Sequence, residues 1–335
     1  MTGPTISVVI PTYNRSAFLA AAVASIRTQT HPCTEIIIVD DGSTDDTAQM
    51  TAALGEGIRY VRQANAGPAA ARNRGIREAR GDWVAFLDTD DRWLPEKLCK
   101  QVEIVRRNPS IILVSADMAI EDDQGASWMA SNFAHRGLQS MFADLDGGPV
   151  PNAPALLLKV NYINTSTVLA RRDVLLQLNG FDERLRFGED LELWLRIAAR
   201  HPVACVPSVQ EIRVEHSNNV TKSIEPMLLG YVQLAEVIRE WAIDLMPQWG
   251  VRANRYVANC LADLGYWYFS QGRLAEARQL FDRSLQEAIT GRALIYRIAS
   301  AIPEFGIKAI RRAKFLLNQQ KIERRQLNRH DTPET

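Results

Sequence analysis

The 335 residues are too many for most single cores and predict one large domain with an appendage. With 46% hydrophobic and 23% charged residues, the composition excludes a disordered or fibrous chain. The zero formal charge removes a general case for nucleic-acid binding, yet it hides an asymmetry: residues 292–329 carry ten Lys or Arg against two acids.

In chain order, "ISVVI" (6–10) predicts a buried strand and "AFLAAAVASI" (17–26) a helix with Phe18, Ala22, Val23 and Ile26 on its apolar stripe. "EIIIVD" (35–40) predicts a second strand. The following "STDDTAQMTAAL" predicts a helix with a capping box from Ser43 to Asp46. "IRYV" (58–61) predicts a third strand, "GPAAARNRGIREA" a helix opened by Pro68, and "WVAFL" (83–87) a fourth strand. Strands separated by helices argue for a mostly parallel α/β sheet, whose ligands bind beyond the strands' carboxyl ends. Polar clusters stand there: Thr12, Tyr13 and Asn14; Asp40, Asp41, Gly42 and Ser43; Asp88, Thr89, Asp90 and Asp91.

Residues 111–220 are mixed, with a strand in "SIILVSADMAI", an irregular stretch rich in Gly, Pro and Asn, and an amphipathic helix in "EDLELWLRIAAR". From about residue 223 the pattern is helical. Leu261, Leu264, Gly265, Tyr268, Ala277, Phe281 and Ser284 follow the spacing of one tetratricopeptide repeat, equally compatible with an ordinary helical hairpin and a peptide-binding platform. The expected domains are therefore 1–222, divided near 110, and a helical region 223–330.

Three aspartates crowd the end of the fourth strand. Side chains two apart in an extended segment point the same way, so Asp88 and Asp90 can face one divalent cation together. A solvated turn capped by Thr89 or Asp91 accounts for the same letters. Asp40 and Asp41 could serve a ligand, but taken alone their segment reads first as a turn capping the next helix. The four cysteines are scattered, without a CxxC pair, and signal neither zinc nor redox chemistry. No GxGxxG or P-loop follows a predicted strand, which argues against a dehydrogenase or a P-loop nucleotidase. "PTYNRSAF" after the first strand lacks the glycines of a sugar nucleotidyltransferase.

The ordered set "SVVIPTYNR", "EIIIVDDGSTDDT", "NAGPAAARNRGI", "GDWVAFLDTDD", "NGFDERLRFGEDLELWLR" and "RVEHSNN" closely resembles glycosyltransferase family two, inverting enzymes of GT-A fold, over residues 5–221. The resemblance implies a Rossmann-like catalytic domain with nucleotide-binding and acceptor-binding halves, followed by the helical region. It puts Pro11, Thr12 and Tyr13 in the nucleotide pocket, with Asp41 and Asp40 on the base, and Arg72 near the nucleotide. Asp88, Asp90 and the adjoining Asp91 match the acidic motif that holds Mn²⁺ or Mg²⁺ on a diphosphate. His216 matches a histidine that completes the metal site in some relatives, and is equally compatible with a structural role. Asp190 matches the catalytic base and Glu189 its neighbour. Trp194 stands one turn later, to stack on an acceptor sugar or to fill the core.

The implied donor is a nucleotide-sugar, UDP-linked foremost, and the acceptor a glycan or lipid-linked hydroxyl in cell-envelope polysaccharide synthesis. A catalytically silent nucleotide-sugar-binding protein, acting through its helical region as an interaction platform, is the alternative. The opening residues lack a basic-then-apolar leader pattern, so a cytoplasmic location is expected. The basic segment, with Arg311, Arg312, Lys314, Lys321, Arg324 and Arg325, suits either peripheral contact with the inner membrane face or a helix packed on the protein. Asn164, Thr165 and Ser166 form a glycosylation sequon, without meaning at that location.

Overall fold

The computed structural model describes residues 3–216 and 224–301. Its strands are β1 (Ile6–Thr12), β2 (Glu35–Asp40), β3 (Ile58–Arg62), β4 (Trp83–Phe86), β5 (Asp91–Trp93), β6 (Leu113–Asp122), β7 (Ser127–Met129), β8 (Leu169–Arg171) and β9 (Val203–Glu215). They form one sheet in the order β3-β2-β1-β4-β8-β6-β9-β5, with β7 on β6. The first four strands are mutually parallel, as the alternating pattern predicts. The other half is mixed: β8 runs antiparallel to β4 and β6, β5 antiparallel to β9, and β6 parallel to β9. In β2 the run Ile36, Ile37, Ile38 and Val39 is buried on both faces. An unbroken β-branched run marks a strand covered on both sides.

The helices of the first half are α1 (Ser16–Arg27), α2 (Thr47–Ala53), α3 (Pro68–Glu78) and α4 (Lys97–Arg107). Helix α1 buries Leu19, Ala22, Val23 and Ile26, spaced at one helical face. The predicted stripe is thus one residue off at its start, because Phe18 instead stacks on His216, with ring centroids 4.9 Å apart. The expected capping box does not form. Asp45 Oδ1 accepts from Thr47 N at the start of α2, while Ser43 Oγ accepts from Asn14 N. The irregular stretch contains α5 (Asn132–His135), α6 (Gln139–Leu145) and α7 (Ala153–Lys159). After β8 come α8 (Arg172–Gln177) and α9 (Glu189–Ala198), and after β9 comes α10 (Ile224–Ala242).

The chain divides into two units, Met1–Val251 and Arg252–Thr335, later than the expected boundary at 222/223. The difference is α10, whose helical pattern gives its type but not its partner. Gly188 has φ +76°, and a Cβ there would come within 2.5 Å of Leu234 of α10. The loop before α9 and helix α10 are therefore built to touch, which keeps α10 in the first unit.

The second unit contains α11 (Ala253–Ser270), α12 (Leu274–Glu287) and α13 (Gly291–Ala299). All seven residues of the repeat pattern are buried. At Ser284, where the repeat usually has Ala, the hydroxyl donates to the Ala258 carbonyl at 2.7 Å, so the polar group has a partner. Among the described residues no helix is long and apolar enough to cross a membrane. The basic segment beyond residue 301 lies outside the described residues.

Candidate active site

Three parallel strands deliver their carboxyl ends to one cleft: Pro11, Thr12 and Tyr13 from β1, Asp41 just after β2, and Asp88 just after β4. The cleft has a volume of about 670 Å³, and Arg72, Asp90, Glu189 and Asp190 also line it. Most of the residues expected from sequence thus converge, although they are spread over nearly 180 positions, from Pro11 to Asp190.

On the nucleotide side, Tyr13 presents an open ring, 47% exposed. Thr12 is buried and its hydroxyl has no partner among the described residues. Asp41 accepts from Gln63 Nε2, Ala66 N and Gly67 N at 2.7–3.0 Å, and so shapes the segment that leads into α3. Asp40 does not reach the cleft. It is buried, accepts from Ser43 N at 2.7 Å and from the Tyr60 hydroxyl, and has Arg62 at 3.7 Å. Its expected role on a nucleotide base is corrected accordingly: Asp40 braces β2 against β3. Burial and this bond push the Tyr60 phenol up to about 12.

At the centre, Arg72 of α3 bridges two carboxylates. Its Nη2 lies 2.7 Å from Asp88 Oδ1 and its Nη1 2.8 Å from Glu189 Oε1. Burial opposes its charge, but Asp88, Glu189 and Asp190 together hold it protonated beyond the usual guanidinium range. Glu189 and Asp190 open α9, where the helix N-terminus favours negative charge. Even so, burial raises both carboxyls, and Glu189 rises to about 7 against the pull of Arg72. Asp190 Oδ2 accepts from Thr165 Oγ1 at 3.4 Å and Oδ1 from Leu191 N at 2.7 Å. A carboxylate with a raised pKa is a stronger proton acceptor than an exposed aspartate.

The acidic motif splits three ways. Asp88 turns to Arg72. Asp90 Oδ2 lies 3.0 Å from His216 Nε2 and 3.8 Å from Arg15. Asp91 departs from its expected place among the metal ligands: it is buried, accepts from Ser166 Oγ at 2.6 Å and faces Glu211. Burial and the neighbouring Asp88 and Asp90 raise its carboxyl to about 7. Among the described residues no group of three metal-ligating side chains is assembled. The Asp90 oxygen and His216 nitrogen nevertheless match the donor chemistry of a divalent cation such as Mn²⁺. Trp194 is also corrected as an acceptor residue. It is fully buried between Phe86 and Phe181, at centroid distances of 6.2 and 5.6 Å.

Sequence reasoning passed over the turn at Asn164, Thr165 and Ser166. Asn164 Oδ1 accepts from Ser166 N, Thr165 donates to Asp190, and Ser166 Oγ accepts from Asp88 N while donating to Asp91. The available signal was a run of four small polar residues, Asn164, Thr165, Ser166 and Thr167, shortly before a strand. Arg136, Arg186, Arg213 and Tyr231 of the cleft wall were likewise not anticipated.

Residues 7–164 match the family model described as Glycosyl transferase family 2, and residues 257–288 match one for a tetratricopeptide repeat. An uncharacterized glycosyltransferase of Rickettsia conorii, RC0461, is 31% identical over 70% of this chain and 37% of its own length. The chain thus spans little more than a third of that relative. TuaG of Bacillus subtilis, a putative teichuronic acid biosynthesis glycosyltransferase, is 43% identical over 30% of this chain and 42% of its own. The crystal structure of S. aureus TarS residues 1–349 with UDP aligns over 88% of both chains, with a TM-score of 0.62 and 20% identity. At that identity it speaks to the fold.

Proposed function

The chain belongs to glycosyltransferase family 2 through its segment 7–164, and from that premise we propose an inverting transfer from a UDP-sugar to a hydroxyl of a cell-envelope glycan or lipid-linked acceptor. The observation that carries this reading is Asp190 in the first turn of α9, in the same cleft as Asp88 and the nucleotide-side residues Thr12, Tyr13 and Asp41. The acceptor hydroxyl attacks the anomeric carbon from the face opposite the leaving diphosphate. Asp190 removes the hydroxyl proton as the new bond forms, and the anomeric centre inverts in a single displacement.

Arg72 keeps Asp88 and Glu189 compensated while Asp190 stays available to accept the proton. Asp90 and His216, with Asp88 alongside, are the residues that would hold Mn²⁺ or Mg²⁺. When bound, the cation supplies Lewis-acid stabilisation of the departing diphosphate. Tyr13 offers a stacking face to the base, and the unpartnered Thr12 hydroxyl a hydrogen bond. Peripheral membrane contact through the basic C-terminal segment is part of the same proposal, supported by its composition.

The test is a thermal-shift panel of UDP-, dTDP- and GDP-sugars with and without Mn²⁺, followed by product analysis. A Mn²⁺-dependent shift with UDP-sugars and an inverted product are expected. Binding without turnover for every acceptor would favour the silent alternative, and no shift with any nucleotide would overturn both.

A further inference from the structure

Arginines from several segments line the cleft, and they differ in how they are compensated. On the nucleotide side, Arg72 is bridged to Asp88 and Glu189, and Arg15 faces Asp90. The lining also includes Arg136, which follows α5, and Arg186, two residues before Gly188 at the start of α9. Arg136 bonds the neutral Asn132 side chain through Nε at 2.7 Å, leaving its terminal nitrogens directed to no carboxylate among the described residues. Arg186 makes no ion pair among the described residues.

Other arginines, among them Arg74, Arg171 and Arg184, are paired with nearby acids, whereas these two line the cleft without one among the described residues. Two exposed guanidinium groups from separate segments of the chain, uncompensated among the described residues, line the same cleft as Asp190. Tyr231 of α10 adds a 41% exposed ring to that cleft. Guanidinium forks and an aromatic face within one cleft suit a sugar that carries an anionic oxygen.

We infer that the acceptor is an anionic glycan, bearing carboxylate or phosphate groups, and that Arg136 and Arg186 read its charge. This rests on the glycosyltransferase reading and adds the acceptor class to it. Arg136 and Arg186 are specificity residues: they select and orient the acceptor, while Asp190 takes the proton.

The test uses the full chain saturated with UDP and three oligosaccharides of matched length: a hexuronate oligomer, a polyol-phosphodiester oligomer and a neutral maltooligosaccharide. Binding is read by titration calorimetry at low and high salt. At least one anionic oligomer should bind about tenfold or more tighter than the neutral one, and lose that advantage as salt screens it. The two anionic arms distinguish carboxylate from phosphate recognition. The Arg136→Gln/Arg186→Gln variant should lose the advantage while keeping UDP affinity within about twofold, and Arg136→Lys/Arg186→Lys should retain part of it.

Equal binding of neutral and anionic oligomers, or binding of none, overturns the inference. So does a variant that loses UDP affinity, because the arginines would then serve the donor. Failure of the unsubstituted chain to bind UDP at all would instead overturn the underlying functional reading.

Discussion

Asp88 and Glu189, and the buried Asp91 with its neighbour Glu211, are carboxyl groups of the same first unit with different partners. The first two share one guanidinium at 2.7 and 2.8 Å. The second two have no such partner. Asp91 accepts from the Ser166 hydroxyl, and neither Glu211 oxygen has a donor among the described side chains, although Asp91 stands beside it. Burial raises Asp91 to about 7 and Glu211 well above the carboxylate range. The amine nearest to compensating them, Lys97, is fully buried over the Trp93 ring, bonded to Gln101, and pushed down to about 7. One cluster sets its carboxyls against a buried guanidinium and the other leaves them without one, although burial raises Glu189 and Asp91 alike to about 7. Chemistry that needs a standing electrostatic field belongs in the first.

That contrast can be broken at several points. The largest effect is expected at Asp190. Asp190→Asn should lower transfer by about a hundredfold to ten-thousandfold, with UDP affinity in calorimetry nearly unchanged. An equal loss of nucleotide affinity would remove the base assignment. Next is Arg72→Met, which strands Asp88 and Glu189 together. Urea denaturation should report a loss of about 3 kcal/mol or more, because a buried charge loses its partner. A neutral result would mean that water compensates these carboxylates in place of Arg72.

The interior cluster should answer to pH. The Asp91 carboxyl is raised from its ordinary value near about 4 to about 7, so the fold favours its protonated form. Its stability contribution is full below pH of about 4, and is lost as pH rises through about 7. Asp91→Asn removes that loss, so the melting temperature should fall less between pH 5 and pH 8 than in the unsubstituted chain. Parallel melting curves across that range would refute the protonated pair. The smallest effect is expected for Lys97→Met. A poorly compensated buried amine is replaced by an apolar group of similar length, and stability should change by no more than about 1 kcal/mol or rise. Loss of a cation is thus expected to be severe at Arg72 and mild at Lys97.

The legible parts of the site were those in which chemistry sits next to a strand end. Thr12, Asp41 and Asp88 each follow an apolar run, and the parallel sheet brings such ends together whatever their separation in sequence. Choosing between Asp40 and Asp41 required β3, because Tyr60 and Arg62 occupy the first. Assigning Asp91 required Ser166, 75 positions away, and Glu211 on β9. Trp194 shares a helix with Asp190, and only the surrounding Phe86 and Phe181 show which face is core. Helix α10 read as helix, but its membership in the first unit depends on the tight approach of Leu234 to Gly188. Local letters specify elements and termini, while burial and pairing depend on partners that no periodicity encodes.

The turn at Asn164 has a practical consequence for producing the protein. Its letters are an acceptor for eukaryotic N-glycosylation, and its side chains aim Asp190 and anchor Asp91. A secretory host would modify Asn164 on the nascent chain, before Asn164 Oδ1 can accept from Ser166 N. The host's sugar would then occupy the turn that orients the base, and an inactive preparation would report the choice of host, not the chemistry of the cleft. A bacterial cytoplasm avoids that confusion without any substitution.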